Sequence, residues 1–128
     1  MELNFDEDLK FSMEITVENK DTANSYGSGD LDVFATPAMT ALMENAARTC
    51  VLKGLPEGFT TVGMEISVKH LKATPIGVVV RAEALLEKIE GKKLFFKIEA
   101  YDDLGKIGEG FHSRYIVNAK DFMKKTVR

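Results

Sequence analysis

Apolar residues recur along this chain at two different periods, and the places where the period changes mark out its elements. Phe11, Met13, Ile15 and Val17 alternate with Ser12, Glu14, Thr16 and Glu18, the period of two that a strand shows when one face is buried. Met39, Leu42, Met43, Ala46, Ala47, Cys50 and Val51 then follow an i, i+3, i+4, i+7 spacing, which gathers side chains on one face of a helix. The period returns to two at Val62, Met64, Ile66 and Val68, with His70 on the same parity. Residues 78–89 read as a third strand with Val78, Val80, Ala82, Ala84 and Leu86 on one side. Leu94, Phe96, Ile98 and Ala100 mark a fourth strand and residues 107–117 a fifth. The predicted architecture is α+β, an antiparallel β-sheet of about five strands wrapped around one long central helix.

The punctuation agrees with this division. Thr36 fits the N-cap of the helix and Pro37 its first position, where a missing N–H costs nothing. Gly54 fits the C′ position, and Leu55-Pro56-Glu57-Gly58 makes the turn beyond it. Residues 19–32, rich in Asn, Asp, Ser and Gly, form a long loop leading into the helix, and long loops often carry function. Ala73-Thr74-Pro75-Ile76-Gly77, Glu90-Gly91-Lys92 and residues 102–106 break the later strands. Residues 120–128 form a short basic end, read as a helical turn or a tail.

Composition narrows the functional classes. A chain of 128 residues matches one domain, expected to span residues 1–128. Apolar residues at 45% and charged residues at 29% describe a folded protein with its own core. A formal net charge of −3 gives no global positive field for nucleic acid or an anionic membrane, so an anionic ligand needs a local site. The acidic N-terminus lacks the basic region and apolar stretch of a signal peptide, and no apolar run approaches the ~20 residues of a membrane helix. A cytoplasmic location is expected. Cys50 is the only cysteine, which excludes an intrachain disulfide and a cysteine-based zinc site. On the apolar helix face it reads as a small buried hydrophobe. Nothing calls for a metal or cofactor.

Three polar residues stand where chemistry is plausible: Thr36 at the helix start, Glu44 beside its apolar stripe, and His70 on the core parity of the next strand. Each has a commonplace alternative. Thr36 can simply cap, Glu44 can pair with Arg48 one turn on, and His70 can be a satisfied histidine at the edge of the sheet. Together they suggest more, since a strand packed on a helix can bring a histidine and a carboxylate within hydrogen-bond reach, with a hydroxyl oriented beside them.

Val33-Phe34-Ala35-Thr36-Pro37, then Glu44, then Thr60-Thr61-Val62-Gly63 and the run Val68-Lys69-His70-Leu71-Lys72-Ala73-Thr74-Pro75-Ile76-Gly77 resemble the thioesterase group of the hotdog superfamily that includes fluoroacetyl-CoA thioesterase. The resemblance runs across most of the chain. It implies a hotdog fold and an acyl-CoA thioesterase whose catalytic residues are Thr36, Glu44 and His70. The chemistry is compatible on its own terms. A thioester releases a thiolate whose conjugate acid has a pKa of roughly 8.5, so the leaving group scarcely needs protonation. What is needed is an activated nucleophile and donors for the oxyanion. Gly63 is a candidate backbone donor, because without a Cβ its main chain can approach a ligand closely.

The acyl carrier implied is coenzyme A, whose phosphates call for cations near the site mouth. Arg114 is the leading candidate, with Lys69 and Lys72 beside it and His112 on the same strand parity as Arg114. Between Tyr26 and Leu31 only Tyr26 is aromatic, a departure from an aromatic lid. The expected substrate is therefore a short-chain or small aromatic acyl-CoA rather than fluoroacetyl-CoA. An exposed sheet edge predicts a homodimer with a continuous sheet, and beyond it a dimer of dimers. Two other readings remain open at this level: a non-catalytic acyl-binding or scaffold module, and a hydratase built on Glu65 and His70. The latter two residues point to opposite faces unless a bulge intervenes.

Overall fold

A computed structural model describes all of residues 1–128. In chain order it contains β1 (Lys10–Thr16), a single 3₁₀ turn (Asn19–Asp21), α1 (Ala23–Tyr26), α2 (Thr36–Leu52), β2 (Phe59–His70), β3 (Val79–Glu90), β4 (Lys93–Asp102), β5 (Gly105–Asn118) and α3 (Ala119–Lys124). The strands form one sheet in the order β1-β3-β4-β5-β2, antiparallel throughout. Its edges are therefore β1 and β2.

The helix stripe meets the alternating face of the sheet as the two periods require. Met39, Met43, Ala46, Ala47 and Val51 are fully buried against Val80, Ala82, Ala84, Leu86, Leu94, Phe96, Ile98 and Ala100. Small residues in the sheet let α2 sit close. A Cβ on Gly108, for instance, would lie only 2.5 Å from the Met39 sulfur. Cys50 lies at the margin of the stripe with its thiol 3.7 Å from the Leu9 carbonyl, and burial pushes its pKa up to about 11. It stays a thiol, as a small hydrophobe would.

Three local details differ from the sequence reading. The N-cap is Ala35, not Thr36, and no side chain caps the helix; Thr36 is the first helical residue and its hydroxyl is used elsewhere. Gly54 does occupy C′, but not in the left-handed conformation. Its small size is what matters, since a Cβ there would meet Phe5 at 2.5 Å where the N-terminal segment crosses and Asn4 N–H donates to the Gly54 carbonyl. The third difference bears on the site. In β2 the pairing with β5 slips between Gly63 and Glu65, leaving Met64 unpaired. A bulge of one residue exchanges the faces of everything beyond it. Gly63 therefore shares the helix-facing side with Ile66, Val68 and His70, while Met64 is 53% exposed.

Residues 19–32 are not a featureless loop: the 3₁₀ turn and α1 occupy much of it. Thr22 caps α1 by accepting from the Ser25 N–H, and Gly27 ends that helix in the left-handed conformation that glycine adopts without strain. The basic end begins as α3, whose N-cap Asn118 accepts from the Asp121 N–H. No helix is long and apolar enough to cross a membrane.

Candidate active site

Backbone pairing brings the start of α2 to the end of β2. Phe34 N–H donates to the Thr74 carbonyl at 2.8 Å, and Ala35 N–H to the Asp21 carbonyl at 2.9 Å. Thr74 is wholly buried and donates its hydroxyl to Asp102 at 2.8 Å, which ties this crossing to the β4–β5 turn. Phe34 is buried and meets the His70 ring edge-on, with centroids 6.4 Å apart. These constraints leave Thr36 Oγ1 2.8 Å from His70 Nδ1, which joins two of the three polar residues that the sequence singled out. A cavity of about 310 Å³ opens beside them, lined by Ala23, Ser28, Val33, Phe34, Leu71, Lys72 and Ala73 as well as the pair itself.

Burial pushes the His70 pKa below its usual 6.5, with the Lys72 backbone exerting a smaller pull the other way. The imidazole is therefore neutral near pH 7 and has a lone pair to offer. Its Nε2 is buried and has no hydrogen-bond partner, so Thr36 is its one polar neighbour by side chain.

Glu44 forms a separate cluster. Eight residues beyond Thr36 on a helix rising 1.5 Å per residue, it sits about 12 Å further along the axis. No hydrogen bond or ion pair joins it to His70, so the expected Glu44–His70 contact is not made within one chain. Glu44 faces Gly63 instead. A Cβ on Gly63 would lie 3.1 Å from Glu44 Oε2, 3.4 Å from Arg114 Nη1 and 3.5 Å from His112 Cε1. The side chain that Gly63 lacks leaves a slot bounded by a carboxylate, a guanidinium and an imidazole.

Arg114 is not at a site mouth. It is buried on β5, with Nε donating to Thr61 Oγ1 at 2.7 Å, Nη2 to the Thr61 carbonyl at 3.0 Å and Nη1 to His112 Nε2 at 3.1 Å. Burial pulls its pKa down and the Glu44 charge pushes it back up. Committed to these partners, the guanidinium presents its charge to Glu44 and not to a ligand phosphate outside. Lys69 lies on the outer face of the sheet, beside Lys97, Lys106 and Glu109. Of the expected cations, only Lys72 borders the Thr36–His70 cavity. Glu65 stays on the face opposite His70, because the bulge precedes it, which leaves no basis for a Glu65–His70 pair.

Sequence reasoning placed His112 with Arg114 as a phosphate contact and missed its position between two strands; Thr61 entered only as part of a motif, with no role, although it anchors Arg114. Thr61, Gly63, His112 and Arg114 do share a signal, being small or polar residues where β2 and β5 should supply core. The bulge conceals their common face.

Similarity to known proteins bears on both halves of this arrangement. The chain is 36% identical over 94 residues to the fluoroacetyl-CoA thioesterase of Streptantibioticus cattleyicolor, covering 73% of this chain and 68% of that protein. The crystal structure of a point mutant of the fluoroacetyl-CoA-specific thioesterase FlK superposes with a TM-score of 0.89 at 30% identity over 94% of each chain. A hot-dog-like protein from Thermanaerovibrio acidaminovorans has a TM-score of 0.86 at 24% identity, covering 94% of this chain and 90% of that one, and speaks for the fold alone. The family profile described as fluoroacetyl-CoA-specific thioesterase, FlK, matches residues 17–120. Since that match takes in both the Thr36–His70 pair and the Gly63 slot on a hotdog framework, the chain belongs to the FlK family and is a thioester hydrolase.

Proposed function

We propose that the protein hydrolyses a short-chain or small aromatic acyl-CoA, with Thr36, Glu44 and His70 as its catalytic set. The observation that carries this reading is the 2.8 Å contact between the Thr36 hydroxyl and a neutral His70 imidazole, the arrangement that activates or orients an oxygen for attack on a carbonyl. The adjoining cavity of about 310 Å³ lies near the lower end of the roughly 300–1,000 Å³ of ligand pockets, which favours a small acyl group. Ala23 and Ser28, the residues that the α1 segment turns toward it, are small and carry no aromatic ring. Glu44 supplies the carboxylate that serves as base or nucleophile, Gly63 lets the thioester approach it, and Lys72 is the cation placed to meet the carrier's phosphates. Lys69, on the other face of the sheet, has no place in this protomer's site.

The two halves of the set meet across a dimer. Gly63 and His70 both lie on β2, whose outer edge has no partner strand within the chain, and unpaired edges are usually covered. With Met64 bulged out of the count, pairing β2 antiparallel to its copy about a two-fold axis through Ser67 sets Gly63 opposite the partner's His70, and so Glu44 near the partner's Thr36. Subunit mixing tests this. Glu44→Gln and His70→Ala homodimers should each lose activity on the order of 100-fold or more in kcat. Co-refolded together, they should regain about a quarter of the wild-type rate, because half of the dimers are mixed and each mixed dimer holds one intact site. Inactive mixtures would show that each site belongs to a single chain, and a fully active Glu44→Gln homodimer would remove Glu44 from the set.

A further inference from the structure

We infer that His112 is a positioning residue for the thioesterase reaction: its ring fastens the β2 bulge to the Arg114 guanidinium and keeps that guanidinium from closing on Glu44. The inference rests on the reading of Glu44 as a catalytic carboxylate and goes beyond it. His112 is 3% exposed, and its Nδ1 lies 2.7 Å from the Glu65 carbonyl. A carbonyl can only accept, so Nδ1 carries the hydrogen and the neutral ring offers a lone pair at Nε2. Arg114 Nη1 donates to that lone pair at 3.1 Å. One imidazole thus spends a donor on the bulged stretch of β2 and an acceptor on the cation of β5.

Arg114 has three directions for its N–H groups and two are fixed by Thr61. The third, Nη1, is the one nearest the space above Gly63, and Glu44 Oε2 borders the same space. No hydrogen bond or ion pair bridges the two. With His112 in place Nη1 is held sideways and the slot stays open. Without a lone pair there, the planar guanidinium loses one of its three anchors, and moving off Thr61 as a unit it can bring Nη1 to Glu44 in a charge-assisted pair. That would occupy the slot and hold the carboxylate away from an incoming thioester.

The groups facing His112 fit this role. Arg114 lies beside it on β5, Glu44 approaches from α2, the Glu65 carbonyl from β2, and the Phe96 ring from β4 at 6.2 Å between centroids. Burial holds the His112 pKa below the usual 6.5, with the Glu65 carbonyl opposing, the Arg114 charge assisting and the Glu44 charge opposing. Protonation would turn Nε2 into a donor aimed at a donor.

The test uses His112→Phe, a ring of similar size without nitrogens, and His112→Gln, whose amide can both donate to Glu65 and accept from Arg114. His112→Phe should lower kcat by about 10- to 100-fold and leave KM within about twofold. His112→Gln should recover most of the rate. In a Glu44→Gln background His112→Phe should cause no further loss, because the residue acts through Glu44. A wild-type kcat in His112→Phe, or the same fractional loss with and without Glu44, would overturn the inference while leaving Glu44 catalytic. Should His112→Phe fail to fold, ¹⁵N NMR of the wild-type ring decides: a neutral Nδ1–H tautomer is expected at pH 7.5, and a protonated ring or the Nε2–H tautomer there would overturn it. An unimpaired Glu44→Gln enzyme would bring down the catalytic reading and this inference together.

Discussion

Gly63→Ala is the smallest change that tests the slot. Gly63 lies in strand backbone outside the left-handed region, so alanine adds no backbone strain, and it should stabilise by about 0.4–1 kcal/mol through the unfolded chain. Against this, the new methyl would sit 3.1 Å from Glu44 Oε2 and 3.4 Å from Arg114 Nη1. Comfortable heavy-atom contacts begin near 3.5 Å, so the carboxylate must retreat by about 0.4 Å. Both neighbours are ends of flexible side chains, and the net change in stability should stay within about 0.5 kcal/mol. Catalysis is less tolerant. A displacement of about 1 Å can cost on the order of 100-fold, so 0.4 Å together with the filled slot should cost about tenfold or more in kcat, about 1.4 kcal/mol of barrier. The assay is release of free thiol from an acyl-CoA panel, followed by a thiol reagent, with Tm measured on the same preparation. An unchanged kcat in a Gly63→Ala protein of normal Tm would refute the claim that the carbonyl is processed above Gly63. A collapsed Tm would mean that the two side chains cannot yield, which contradicts the packing described.

Other outcomes follow from the same geometry. Thr36→Ala should lower kcat less than Glu44→Ala does if the hydroxyl chiefly orients, while Thr36→Ser should stay close to wild type; a single-turnover comparison decides. Lys72→Ala should raise KM for an acyl-CoA severalfold, an effect that fades with added salt, and should leave a truncated thioester without the nucleotide unaffected; equal effects on both substrates would remove Lys72 as the phosphate contact. His70 and His112 both have pKa values held below 6.5 by burial, so the unfolded chain binds more protons than the folded one below that pH. Stability from these groups is fully present above 6.5 and declines as the pH falls toward the depressed values, and in His112→Gln the decline in Tm should be shallower. Light scattering at micromolar concentration should give a dimer, and a fully active monomer would exclude the shared site.

What the sequence made legible was everything governed by a single uninterrupted period. The α2 stripe and the alternation of β3 and β4 translate directly into burial, because each buried position there answers to one packing surface. Thr36 and His70 were found for a similar reason: both sit at element ends, where motif spacing is short. Two features stayed hidden. The apolar alternation from Val62 to Val68 runs through the bulge without a mark, since an exposed Met64 looks the same as a buried one. Arg114 shares the buried parity of His112 and Ile116 on β5, yet a charged residue on a strand is usually solvated. Only the three-dimensional pairing with Thr61 and His112 explains a buried guanidinium, whose donors must be satisfied if it is to be kept out of water.

The bulge also explains why this site can be built from such a plain scaffold. Without it, Gly63 would present its open side to the outer face while Val62 and Met64 faced α2, and Glu44 would look onto apolar side chains with nothing to receive a polar ligand. One extra residue turns Gly63 inward and leaves the His70 end of the strand on its original face. The two half-sites therefore share one side of β2 yet remain about 12 Å apart along α2, a separation no rotamer can close. A strand edge that pairs with its own copy closes that separation by symmetry, since antiparallel register converts a distance along the strand into a distance across it. On this reading the edge of β2 is catalytic in consequence, and Val68→Pro, which removes a ladder donor from the outer edge beside the proposed centre, should abolish dimerisation and turnover together while the Thr36–His70 pair within each chain is left intact.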